Sequence, residues 1–162
     1  MPLELLTTSY YLGDRLAEIR ETILDVYAAV YAADIATDPF FSMERFEERL
    51  EMHTAAGGWG CVIAEIEGAA VGFTYGFTAR DDARTFKVCE NMLCEKWRKQ
   101  GISRLMHDEL VSHREEACAE LLVRRSRPRL RAMYEAWGYR HISERQPFPD
   151  SPLYDVMALP LT

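Results

Sequence analysis

Arg98-Lys99-Gln100-Gly101-Ile102-Ser103 stands where a strand-like run, Thr85 to Cys94, gives way to a helix-like run, Ser103 to Cys118. A glycine in a short strand-to-helix loop lets backbone N–H groups converge on an anion, and the helix N-terminus behind it adds partial positive charge. These residue types at this spacing describe a phosphate cradle. Eight residues before Arg98, Glu90 interrupts an otherwise apolar strand. A carboxylate there is costly unless it faces water or has a role. Alternation places Glu90 and Met92 on one strand face and Cys89, Asn91 and Leu93 on the other.

The remaining reactive side chains form no comparable constellation. Cys61, Cys89, Cys94 and Cys118 contain no CxxC pair, and three of them lie in apolar runs, where cysteine packs as a small hydrophobe. His53, His107, His113 and His141 lack the spacing of a helical zinc motif, so no metal is expected. The net charge of −7 is uneven, with eleven Asp/Glu against four Lys/Arg in residues 1–60 and fifteen of each thereafter. An acidic chain of pI near 5.1 argues against nucleic acid as a partner. The five arginines between Arg124 and Arg131 read more simply as a coenzyme or solvent face than as a nucleic-acid stripe. Excess acid in the N-terminal part favours a cationic acceptor there. Alternatively, Asp14, Glu18, Glu21, Asp25, Glu44, Glu47, Glu48 and Glu51 are the solvated faces of two helices.

These residues need elements to hold them. With 162 residues, 48% of them hydrophobic and 11% aromatic, the chain suits one domain with a single packed core. Met1 to Tyr11 lacks the pattern of a signal peptide and no apolar run reaches membrane-spanning length, so a cytoplasmic protein without membrane contact is expected. Leu3 to Thr7 reads as a short strand, and Leu12 to Tyr31 as a helix with Leu16, Ile19, Ile23, Val26, Tyr27 and Val30 on one face. Asp38-Pro39 breaks the pattern, and Ser42 opens a second helix that Ala55 to Gly58 ends. Trp59 to Ile66 and Ala69 to Phe77 form a hairpin around Glu67-Gly68. Beyond the helix Ser103 to Cys118 come a strand Glu120 to Arg124, a helix opened by Pro128 and closed by Gly138, and strands Tyr139 to Arg145 and Tyr154 to Leu159.

The cradle resembles the (Q/R)xxGx(G/A) loop of the GCN5-related N-acetyltransferases, which move an acetyl group from acetyl-coenzyme A to an amine. Arg-Pro-Arg-Leu-Arg-Ala-Met-Tyr-Glu-Ala-Trp-Gly-Tyr, residues 127 to 139, resembles the family's NxxAxxLYExxGF segment, and residues 151 to 161 are similar to its final strand. The resemblance implies an α/β (α+β) fold with a mostly antiparallel sheet of six to seven strands flanked by about four helices. It implies acetyl-CoA as co-substrate, its diphosphate held by the backbone N–H groups of Lys99, Gln100, Gly101, Ile102 and Ser103. Arg98 and Arg104 contribute charge, and the backbone around Leu93 pairs with the pantetheine arm. Tyr134 falls on the motif tyrosine that protonates the departing thiolate, a phenol being protonated at neutral pH; the other reading of Tyr134 is core packing. Glu90 stands where some members carry an acidic residue facing the acceptor, and partial burial would fit it to take the amine's proton.

Departures from the family pattern also carry information. Leu121 to Arg127 is similar to the LEVRxSN run of the ribosomal-protein N-terminal acetyltransferases, but Leu122 replaces the glutamate and Arg127 the asparagine, which makes a peptide N-terminus less attractive as acceptor. Arg127 reaches a coenzyme phosphate or is solvated. Leu130 replaces a small residue, and Ser103 adds a hydroxyl to the cradle. Tyr27, Tyr31, Phe40, Phe41, Trp59 and Tyr75 stand as aromatic walls of the acceptor pocket or as core. The expected activity is acetyl transfer to a primary amine of a small, cationic acceptor; an inactive coenzyme-A-binding module is the alternative, and a homodimer stays open.

Overall fold

Two hydrophobic periods alternate along the chain, and the computed structural model, which describes residues 5–161, turns each into its element. The period-two segments are β1 (Leu6–Leu12), β2 (Gly60–Ile66), β3 (Ala69–Thr78), β4 (Thr85–Leu93), β5 (Cys118–Arg124), β6 (Arg140–Arg145) and β7 (Tyr154–Pro160). They form one sheet in the order β1-β2-β3-β4-β5-β7-β6, antiparallel throughout except for β4–β5. Glu67 and Gly68, both at positive φ (52° and 81°), make the two-residue reversal between β2 and β3; such a turn matches the twist of its strands. The helices among the described residues are α1 (Leu16–Val30), α2 (Ala32–Thr37), α3 (Met43–Ala55), α4 (Ile102–Ser112) and α5 (Pro128–Ala136). The sheet is thus mixed and mostly antiparallel, as expected.

Each face of the sheet carries its own core. Ile19, Ile23 and Tyr27 of α1, with Phe46 and Leu50 of α3, recur at helical spacing and bury against Ile63, Phe73, Tyr75 and Met92. On the opposite face Ile102, Met106 and Leu110 of α4 and Tyr134 of α5 pack on Val62, Ala64, Phe86 and Val88. Burying each large apolar side chain contributes about 1.5–3 kcal/mol. The interior strand β2 is covered on both sides and reads as a nearly continuous apolar run, whereas all six residues of edge strand β6 are exposed and mostly polar.

Three boundaries differ from expectation. The first strand runs from Leu6 to Leu12, because Tyr10 and Tyr11 continue the pairing with β2, and a 3-10 turn at Gly13–Arg15 delays the helix to Leu16; Leu3 and Glu4 of the expected strand lie outside the described residues. Helix α4 stops at Ser112 rather than Cys118. The helical-looking stretch behind it is held as a loop by Arg114, which binds Glu116 at 2.8 Å and the Tyr10 hydroxyl at 3.1 Å while lying over the Phe86 ring. The short helix α2, between the expected helix end at Tyr31 and the break at Asp38-Pro39, is not among the expected elements, and it has no side-chain cap to announce it. No helix among the described residues is long and apolar enough to cross a membrane.

Candidate active site

Strands β4 and β5 pair over only four residues, ending at Val88 opposite Leu121. There β4 bulges. Tyr75 pairs with Glu90 and Gly76 with Val88, so Cys89 has no partner of its own. An extra residue bends a strand and increases its twist. Beyond it β4 follows β3 to Leu93 while β5 follows β7 to Arg124. A cleft of about 1140 Å³ opens between the diverging strands. Gly76 permits the bulge, since a Cβ there would collide with the Lys87 carbonyl oxygen and the Phe86 ring. The bulge also corrects the expected alternation: Cys89 packs with Met92 against the α1 side, while Asn91 lies with Leu93 on the α4 side.

The cradle forms one end of the cleft. Gly101 caps α4 in the left-handed region (φ 83°, ψ 3°) without any side-chain capping bond, and Lys99 is left-handed as well (φ 66°). A Cβ on Gly101 would meet nothing within 4 Å, so open space adjoins this backbone. Uncapped first-turn N–H groups beside open space are available to an anion. Lys99, Gly101, Ile102, Ser103 and Arg104 line the cleft, and Gln100 is exposed but does not line it. Ile102 buries its side chain in the core, leaving its backbone for binding. Leu93 and Arg98 line the cleft too, yet Arg98 Nε donates to the Leu93 carbonyl at 3.1 Å, so Arg98 braces the strand end as well as carrying charge. Arg104 is an exposed i,i+4 partner of Asp108, at 3.6 Å. Arg127 lines the cleft just before α5, 4.0 Å from Asp34.

Glu90 and Tyr134 line the same cleft. Burial raises the Glu90 carboxyl to about 7, with Arg49 and Arg124 pulling it back down. Burial likewise raises the Tyr134 phenol to about 12, which keeps it protonated. Asn91 Nδ2 donates to the Tyr134 oxygen at 3.3 Å, and Ser103 Oγ donates to Asn91 Oδ1 at 3.4 Å. A phenol oxygen that accepts from Asn91 has its own O–H free to donate elsewhere. Sequence reasoning misses Asn91, although a polar residue in an apolar strand is the same signal that marks Glu90.

The other end of the cleft is walled by Tyr27, Tyr31, Phe40 and Phe41, while Trp59 and Tyr75 belong to the core. The Tyr75 hydroxyl lies 3.0 Å from Nδ1 of His53, which lines the cleft. Burial pushes His53 down to about 4, so the ring is neutral near pH 7. None of the eight acids of the N-terminal helices lines the cleft; seven are exposed and Glu47 is half-buried, which makes them solvated faces. Of the acids in residues 1–60, Asp34 does line the cleft. His141, Glu144 and Asp155 stand close enough together to hold a metal ion, but Arg131 (3.1 Å) and Arg125 (3.5 Å) already pair with Asp155. Leu130 is exposed at the cleft edge.

Similar solved structures include an acetyltransferase from Thermus thermophilus, 12% identical over 99% of this chain and 100% of that one, TM-score 0.72. The ribosomal-protein-S18-alanine N-acetyltransferase from Escherichia coli is 18% identical over 97% and 94% of the two chains, TM-score 0.70. Mutant forms of the spermidine/spermine N-acetyltransferase SpeG from Vibrio cholerae are 13% identical over 96% and 95%, TM-score 0.63. Identities this low carry the fold and not the acceptor. No curated protein matches the sequence. The sequence model described as Acetyltransferase (GNAT) domain matches residues 27–153, a span that takes in Glu90, the β4 bulge, the cradle and Tyr134 together, and the chain belongs to the GNAT acetyltransferase family.

Proposed function

We propose that the protein transfers the acetyl group of acetyl-CoA directly to the primary amine of a small acceptor. The observation that carries this reading is the convergence on one cleft of a carboxyl at about 7, a protonated phenol and an uncapped helix N-terminus. The residues present fit the donor: a left-handed glycine beside open space, flanking cations, and a strand edge left unpaired where β5 departs. When bound, acetyl-CoA supplies the activated acyl group and the thiolate leaving group.

The backbone N–H groups of Lys99, Gly101, Ile102 and Ser103 would hold the diphosphate, with Lys99 and Arg104 adding charge. Gln100 contributes its backbone at most. Leu93 and Asn91 turn their backbone groups away from β3, since Cys94 N–H is the one that bonds Val71; the pantetheine arm would lie along that edge. Glu90 accepts the proton of the incoming ammonium, directly or through water. A C–N bond forms as the C–S bond breaks; Tyr134 gives its phenolic proton to the sulfur, and the second proton that the nitrogen sheds on becoming an amide restores the phenol.

A thiol-release assay over amino acids, polyamines, aminoglycosides and peptides tests the reading. General acid catalysis contributes roughly 10²–10⁴-fold, so Tyr134→Phe lowers kcat by about 10² or more while acetyl-CoA still binds. Binding of acetyl-CoA with no thiol released from any amine, in protein of unaltered fold, would leave a coenzyme-A-binding module instead.

A further inference from the structure

The acceptor end of the cleft carries more cation than the proposed reaction needs. Arg49 of α3 and Arg124 at the end of β5 both act on Glu90. Arg49 is held by the Phe40 carbonyl (2.9 Å) and more loosely by the Tyr27 hydroxyl (3.4 Å). Arg124 lies over the Phe41 ring, its Cζ 4.1 Å from the centroid, and gives Nη1 to Asp34 Oδ1 at 3.3 Å. Its Nη2 is buried without a hydrogen-bond partner. Among the described residues the other such atom is Trp59 Nε1, in the α1-side core.

A buried polar donor left unpaired is destabilising, and more so when it is charged. Folds satisfy such groups or keep them for a ligand. Arg145 lines the same end, and Lys87 there stands in register with Glu120. The balance in carboxylates is short: Asp34 is committed to Arg124, and Glu90 is the group expected to take a proton. An amine bringing only further positive charge meets two arginines of which Asp34 pairs with one. An amine bringing a carboxylate supplies a partner for the Arg124 guanidinium, one of whose nitrogens has none, and guanidinium–carboxylate bonds are strong and directional.

We infer that the acceptor is an amine carrying its own carboxylate, an amino acid or a small acid of similar build, with Arg124 as the residue that recognises the carboxylate and Arg49 beside it. This rests on the proposed transfer reaction and assigns its substrate class. Tyr31, Phe40, Phe41, Phe148 and Tyr154 line the space around the two guanidiniums and would hold the body of such a molecule.

The test uses the reaction's products as probes. The CoA-saturated protein is titrated calorimetrically with N-acetylated glycine, leucine and phenylalanine, each as free acid and as primary amide. At least one acid is expected to bind ten-fold or more tightly than its amide, and Arg124→Gln is expected to abolish that preference while CoA affinity stays the same. If every amide binds as well as its acid, or no acid binds at all, the inference is overturned, whatever the variant does. A preference that survives Arg124→Gln in folded protein overturns the role of Arg124. Thiol release separates the two levels of the argument. Indifferent turnover of amino acids, their amides and the decarboxylated amines sinks this inference and leaves the transferase reading standing. Acid-selective binding without turnover sinks the transferase reading, and the acceptor assignment with it, and leaves only the carboxylate-recognising role of Arg124.

Discussion

Burial raises the Glu90 carboxyl to about 7 while Arg49 and Arg124 hold it from rising further, so near neutral pH the residue exists in both protonation states. Two measurements follow from that one value. Activity at low acceptor concentration requires the carboxylate, so kcat/KM rises with pH along a limb of apparent pKa about 7, and Glu90→Gln removes the limb together with roughly 10²-fold or more of the rate. Stability runs the opposite way. The folded carboxyl binds its proton more tightly than the unfolded one, whose pKa is 4.5; its contribution is intact below about 4.5 and is lost as pH rises through 7. Glu90→Gln therefore raises the melting temperature at pH 8 and leaves it nearly unchanged at pH 4.5, and equal effects at both pH values would contradict the burial argument. Glu90 could be found from sequence because a charge among apolar residues demands an explanation. Asn91 raises the same demand more quietly, and its partners, Ser103 and Tyr134, are separated from it by 12 and 43 residues.

The bulge in β4 is the element that aims these groups. Period-two reading places Cys89 on the face of Asn91; the extra residue shifts it, and nothing in the local sequence announces the insertion, because a bulge is specified by the partner strand. Gly76 is that specification, allowing the Lys87 carbonyl and the Phe86 ring to approach β3. Gly76→Ala forces a Cβ into both. Overpacking of this kind costs about 1–3 kcal/mol, a drop of roughly 2–4 °C per kcal/mol for a chain of this size. The more telling effect is on the reaction: re-aiming Glu90 lowers kcat in protein that remains folded, well beyond the loss of acetyl-CoA affinity, because the cradle lies past the bulge. Equal losses in both would mean that the bulge does not position the carboxylate. The hairpin at Glu67-Gly68, the caps at Ser42 and Pro128, and the cradle glycine were legible because their cause is local. The end of α4 was not, since Arg114 stops the pattern through Tyr10 and Glu116.

The α3 region and the β6–β7 connection, about a hundred residues apart in sequence, close over the acceptor end of the cleft, and no local pattern records that. Pro147 and Phe148, between β6 and β7, line it from above, with the Phe148 ring 5.9 Å from that of Phe40. Asp150 ties this connection to α3 through both guanidinium nitrogens of Arg45, at 2.6 and 3.1 Å, across 105 residues of sequence. Both side chains are substantially exposed, and pairs of that kind add little to global stability. The pair fixes where the roof sits, which matters to a small acceptor beneath it and not to a donor held at the other end. Arg45→Ala and Asp150→Ala are therefore expected to leave the melting temperature nearly unchanged and to raise KM for the acceptor several-fold, with KM for acetyl-CoA unaltered. Exposed charges are screened by salt, so raising the ionic strength should bring the wild-type acceptor KM towards that of the variants. Exchanging the charges, Arg45→Asp with Asp150→Arg, should recover part of the loss that each single reversal produces. If acceptor and donor KM rise together, or if the exchange is no better than the single reversals, the pair does not act as a latch on the roof.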